Sequence, residues 1–370
     1  MKQIAVSRCL LIFTLSALTF SACQRKESTD ASAEDDAAHE SRAPLKIKGP
    51  PLPAIEMVRD EPSKAAEAYR LRTRQLYNNS RFDELEALAD KARRDKTRLA
   101  NGSWEIFHFY DCFDCREDEP ESMWQLHDRI HQAWIAAKPQ SITARVAYAG
   151  FLITYAWHAR GSGYADKVTK EGWRLFGERL AESQKTLFAA KDLDPKCPMW
   201  WRYQMTVARG QGWDRTQLDE LFAEAKAFEP EFWSYDVERA YCLLPRWHGQ
   251  PGDWEADAEK EIDRAGGLGV EGYARVISRQ RGYYDNIFRE SKASWPKARD
   301  GFEEMRRKYP ESREILNVYV QLACLAGDRE LARKLFEEIG GQIHPNSWHD
   351  KNDFIRSRNW AYGEPESKAK

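Results

Sequence analysis

The chain has 370 residues, enough for two ordinary domains or one elongated helical array with a continuous core. Its net charge of −2 becomes −4 once the positive charges of Lys2 and Arg8 are subtracted, and its acidic and basic residues are interspersed, which excludes an electrostatic search for nucleic acid. Leu, Ala, Glu and Arg are abundant and β-branched runs are scarce, so helices are expected; 14 Trp imply helix pairs wedged apart by large rings.

Lys2 and Arg8 precede the apolar run Cys9 to Phe20, and Phe20-Ser21-Ala22-Cys23 closes it. About a dozen apolar residues are too few to span a bilayer, so residues 1–22 read as a signal peptide. The ending resembles a bacterial lipobox, with Cys23 lipidated as the first mature residue. Gln24 next to it then implies sorting to the outer membrane, facing the periplasm. Residues 23–60 are small, charged and dotted with Pro44, Pro50, Pro51 and Pro53, and read as a disordered tether.

Helical periodicity starts near Pro62 and Ser63. Ala66, Tyr69, Leu71 and Leu76 predict one helix, Asn78-Asn79 a turn, and Phe82, Leu85, Leu88 and Ala89 a second. Trp104 to Phe113 is densely aromatic, and Pro120 opens a helix bearing Trp124, His127, His131 and Trp134. Ser141 starts another that is apolar around most of its circumference and ends at Arg160-Gly161. A long helix follows with Trp173, Phe176, Leu180 and Leu187. Leu187, Ala190 and Pro195 recur 35 residues later as Phe222, Ala225 and Pro230. Trp200, Trp201, Tyr203 and Met205 fall on one helix between them, Phe232 to Leu244 on the next, then Glu255 to Ala265 and a single helix from Tyr273 to Phe288.

From Ser294 to Gly340 one pattern occurs twice: Ala298 and Phe302 are matched 34 residues later by Ala332 and Phe336. That is the tetratricopeptide period. Trp348 to Trp360 then predicts a capping helix. The fold class expected is all-α, a right-handed superhelix of antiparallel, tetratricopeptide-like helix pairs, with an aromatic-rich repeat domain over 61–293 and two repeats plus the cap over 294–370.

Cys112-Phe113-Asp114-Cys115 followed by His127 and His131 has the spacing C-x2-C-x11-H-x3-H, close to a zinc finger. A finger wants a hairpin before a short helix, whereas this stretch is aromatic helix, and an exported chain favours a Cys112 to Cys115 disulfide or inert thiols over zinc. Asp111, Asp114 and Glu117 would keep the thiols protonated. Arg116 after Cys115 excludes covalent haem attachment, and no nucleophile elbow, zincin motif or phosphate loop is present. No metal and no cofactor are therefore expected. Trp157, His158 and Arg160, with Tyr203, and Arg246, Trp247 and His248 place cations and imidazoles beside large rings at helix ends, the chemistry of a groove for an acidic or aromatic peptide, although such arginines also serve as plain helix caps.

Pro139-Gln140-Ser141, Ala156 to Gly161, Cys197-Pro198-Met199-Trp200-Trp201 and Pro245 to Gly249 together resemble a family of bacterial envelope proteins described only as a domain of unknown function. The resemblance spans roughly Glu61 to Phe288. It implies a helical, tetratricopeptide-like domain and carries over no catalytic residue. The expectation is a lipid-anchored envelope scaffold that binds a protein or peptide partner without catalysis. The alternative is an envelope enzyme, a metal-dependent hydrolase or thiol oxidoreductase, using the Cys112 to His131 region.

Overall fold

The computed structural model describes residues 45–163, 165–247 and 249–363. The leader, Cys23, the first part of the expected tether and His248 lie outside the described residues. The described chain is all-α, a helical-repeat fold. In order it forms β1 (Glu56–Met57), α1 (Glu61–Asn78), α2 (Phe82–Asp95), α3 (Glu105–Tyr110), α4 (Glu121–Ala137), α5 (Ile142–Arg160), α6 (Lys170–Ala190), α7 (Pro198–Gln211) and α8 (Arg215–Phe228). It continues with α9 (Ser234–Cys242), α10 (Asp253–Lys260), α11 (Val270–Gln280), α12 (Ile287–Glu290), α13 (Trp295–Lys308), α14 (Arg313–Ala326), α15 (Arg329–Ile339), β2 (Gln342–Ile343) and α16 (Lys351–Tyr362). No described helix is long and apolar enough to cross a membrane.

Local chemistry explains most boundaries. Ser141 caps α5 by accepting from the Ala144 amide at 2.8 Å, and Gly161, at φ 76°, takes the chain out of it. Almost every residue of α5 up to Ala156 is buried, as its all-round apolar pattern demands. Ala298 and Phe302 in α13 and Ala332 and Phe336 in α15 occupy equivalent buried positions, each packing its helix against α14 or its neighbour. Gly301 is the close-approach point: a Cβ there would come within 2.1 Å of the Val270 carbonyl oxygen on α11. The single helix expected from Tyr273 to Phe288 is broken in two. A 3-10 turn at Arg281 to Tyr283 ends α11, and the Asn286 side chain caps α12 by accepting from the Phe288 amide.

The two largest buried clusters meet within α9. One cluster runs from Tyr77 to Tyr235, the other from Ala240 to Ala361. Residues 45–60, expected as the end of a tether, instead pack against the last helices. β1 pairs in parallel with β2, Glu56 opposite Gln342, and Val58 N–H donates to the Ile343 carbonyl at 2.8 Å. Arg358 on α16 donates to the Lys48 and Pro50 carbonyls, and Asn359 accepts from the Lys48 amide at 2.7 Å. Asp60 fastens this crossing: one carboxylate oxygen accepts from the Ser63 amide of α1 at 2.9 Å, the other from the Glu314 amide of α14 at 3.0 Å. One side chain thus caps two helices whose starts lie more than 250 residues apart in sequence.

Candidate functional site

The end of α5, one face of α7, α9 and the turns after α9 and α11 bring arginines and large rings together. On α7, Arg202 and Arg209 are seven residues apart and so share a face. Glu238 and Tyr241 on α9 are three apart and meet that face. Arg209, buried, pairs with Glu238. Its guanidinium lies 4.4 Å from the Tyr241 ring centroid, 5.5 Å from Trp247 and 5.8 Å from Trp157. Burial works against its charge, but Glu238 outweighs it and the pKa rises. The second Glu238 oxygen is 4.0 Å from Arg202, which lies over Phe107 at 5.3 Å and Tyr203 at 5.5 Å.

Around this centre the rings interlock. Trp157 and Trp247 meet edge-on at 5.8 Å, and Tyr241 stacks on Tyr283 at 4.9 Å. Arg160 lies 5.4 Å from Trp157 and 5.1 Å from Trp173, and donates to the Gly161 and Gly163 carbonyls at 3.1 and 3.0 Å. Arg246, exposed, spans Tyr283 at 4.6 Å and Tyr241 at 5.3 Å. Neither Arg160 nor Arg246 has a carboxylate partner among the described residues.

Of the residues singled out in the sequence, the structure thus brings Trp157, Arg160, Arg246 and Trp247 together, with Tyr203 joined through Arg202. His158 is not among them: it stacks on Trp124 at 4.4 Å, because one residue of helix turns the side chain about 100° away from Trp157. His248 lies outside the described residues. Arg202, Arg209, Glu238, Tyr241 and Tyr283 were not read from the sequence. The only local signal was the seven-residue spacing of Arg202 and Arg209.

The Cys112 to His131 region has a different character. Cys112 and Cys115 are free thiols, not the disulfide the sequence raised, and they face different clusters: Cys112 packs with the Tyr77 core and donates to the Phe109 carbonyl at 2.9 Å, while Cys115 packs with Trp124 and Phe151. Burial raises the Cys112 pKa and pushes that of Cys115 up to about 12. Arg74 organises the loop by donating to the Cys112 and Asp114 carbonyls at 2.6 and 2.9 Å and to His127 Nε2 at 3.1 Å. That leaves His127 Nδ1–H to donate to the Phe113 carbonyl at 3.2 Å. Burial, then the Arg74 charge, brings the His127 pKa down to about 4. His131 is enclosed by Tyr77, Phe113, Tyr148 and Phe151, with ring centroids 5.0 to 6.1 Å away. These are neutral imidazoles in an aromatic core, and no group of three or more potential ligands among the described residues is placed to hold a metal.

Comparison with curated proteins finds no match. A family model does match, over residues 70–209, from the second half of α1 to Arg209 on α7. It therefore includes Cys112, Cys115, Trp157, Arg160 and Tyr203 but stops short of Tyr241, Arg246 and Trp247. The family is described as a domain of unknown function (DUF4034), which supports the domain-of-unknown-function family expected for that stretch.

Proposed function

We propose that the chain is a helical-repeat scaffold that binds an acidic peptide segment of a partner protein on the arginine and aromatic face. The observation that carries this reading is that Arg160 and Arg246 hold their charges over indole and phenol rings with no carboxylate beside them. Fixed cations next to flat apolar surface recognise a carboxylate and the side chain that bears it. The Arg209 to Glu238 pair beneath supplies orientation, leaving the outer arginines for the ligand. The envelope-enzyme alternative draws no support from the thiols, which burial keeps protonated. The leader and Cys23 add a lipid anchor and an outer-membrane, periplasm-facing location to the proposal. Labelling with a palmitate analogue should mark the wild-type chain and not Cys23→Ser.

The binding test is fluorescence anisotropy with a labelled oligoglutamate peptide, an oligolysine peptide serving as control. Oligoglutamate should bind, more weakly as salt rises, and Arg160→Glu with Arg246→Glu should reduce affinity roughly tenfold or more. Equal binding by the charge-reversed variant would sink the proposal.

A further inference from the structure

Helices α4 and α6 both pack on α5, and an open groove of about 400 Å3 lies among the three. One stripe from each helix bounds it. On α4, Gln132, Ile135 and Ala136 share a face because they are three and four residues apart. Arg145 and Tyr148, three apart, are the contribution of α5. On α6 the stripe runs from Glu182 through Lys185 and Thr186 to Ala189, again at helical spacing. Ala136 and Ala189 are exposed and offer only a methyl group, so α4 and α6 leave the space between them unfilled. No lining residue belongs to the arginine and aromatic face.

The surface of the groove is mostly apolar, and nearly all of its polar groups are already answered. Tyr148, 8% exposed, donates its hydroxyl to Asp128 Oδ1 at 2.8 Å, and Gln132 donates to Asp128 Oδ2 at 2.8 Å, so both oxygens of Asp128, which lies outside the lining, have donors. Thr186 donates to the Glu182 carbonyl at 2.8 Å, and Lys185 donates to the Glu182 carboxylate at 3.2 and 3.3 Å. Arg145 differs. Half-buried, it donates one N–H to the Ser141 carbonyl at 3.1 Å and has no carboxylate partner among the described residues. Arg145 and Lys185 against Glu182 leave the lining with one positive charge. A guanidinium carries five N–H donors in a planar fork, so most of the fork remains for an acceptor. An alkylammonium would meet charge of its own sign. A carboxylate would be held bidentately by Arg145, and the apolar walls have room for a body of roughly ten heavy atoms.

We propose that this groove binds a small monocarboxylate with a short aliphatic chain, its carboxylate on Arg145 and its chain against Ile135, Ala136, Ala189 and the Tyr148 ring. The site stands on its own residues, and neither it nor the acidic-peptide reading depends on the other.

The test is a ligand-observed NMR titration of the full chain with sodium hexanoate, hexan-1-ol and hexylammonium chloride serving as controls of equal chain length. Hexanoate should bind, hexan-1-ol roughly tenfold more weakly, and hexylammonium not detectably. Arg145→Gln should weaken hexanoate roughly tenfold and leave hexan-1-ol unchanged, with the helical circular dichroism preserved. Ala189→Trp, which fills the groove without touching the cation, should abolish binding of both. Undetectable hexanoate binding by the wild type, equal binding by Arg145→Gln or by Ala189→Trp, or hexylammonium binding as tightly as hexanoate overturns the proposal. A doubled mass in light scattering together with undetectable hexanoate binding would assign the groove to a second copy of the chain instead.

Discussion

Replacing Asp60 by alanine should unfasten the first helix from the last third of the chain. The residue is 6% exposed, and its two oxygens accept from the Ser63 amide at 2.9 Å and the Glu314 amide at 3.0 Å, at the starts of α1 and α14. Each lost cap costs about 1 kcal/mol, and leaving the Glu314 amide unpaired adds about 1 more, so Asp60→Ala should lose about 3 kcal/mol in urea unfolding at neutral pH. Asp60→Asn keeps one acceptor oxygen but turns an amide N–H toward a donor, and should lose about half as much. Burial raises the Asp60 pKa, but the Ser63 and Glu314 donors and His344 outweigh it, and the folded carboxyl titrates below its ordinary 3.8. A depressed carboxyl contributes stability that is fully present above the unfolded value and disappears as pH falls through the folded one. The gap between wild type and Asp60→Asn should therefore close below about pH 4. Hydrogen exchange adds a local readout: the Ser63 and Glu314 amides should both lose protection. Wild-type stability in Asp60→Ala, or faster exchange at only one of the two amides, would refute the double cap.

Trp254 is 1% exposed and bonds through Nε1 to the Tyr284 hydroxyl at 2.9 Å, so Trp254→Ala should cost about 3 to 5 kcal/mol in the same assay. Trp201, partly buried and stacked on Phe228 at 4.4 Å, should cost clearly less. His127 falls from 6.5 unfolded to about 4 folded, so it favours unfolding as pH drops from 6.5 towards 4, by about 3 kcal/mol over that window; unfolding curves of His127→Gln should show a shallower acid slope than wild type. Cys112, Cys197 and Cys242 are buried, so an aromatic disulfide reagent should titrate them only after denaturation. Prompt stoichiometric reaction of the native chain would contradict that.

What the sequence disclosed follows the range of the physics. Ala298, Phe302, Ala332 and Phe336 were legible because helix packing repeats locally, and Ser141 because a cap acts within three residues. Apolar type does not say which side of a helix is covered: Leu71 and Trp173, both among the apolar positions that marked their helices, are 50% and 41% exposed. Trp157 with Arg160 and Arg246 with Trp247 were readable because ring and cation are sequence neighbours. Arg209 with Glu238 needed the packing of α7 on α9, and the double cap at Asp60 joins residues whose proximity no local pattern records. Asp111 and Asp114 were read only as neighbours of the thiols, and the approach of Arg70 on α1 to within 3.7 Å of Asp111 is a contact between helices that no local pattern records.

The placement of Arg209 bears on why the face is built as it is. A buried ion pair gains little over well-packed apolar residues of the same volume, because desolvation offsets most of the Coulomb attraction. Its effect is directional: Glu238 holds Arg209 among three rings and presents its second oxygen to Arg202, which spans Phe107 and Tyr203. Positions on α3, α5, α7 and α9 are thereby tied to a common charge network before any ligand arrives. Under the proposed binding role, a ligand meeting rings and cations already oriented would lose less conformational freedom than one that must order them, and selectivity would come from that orientation.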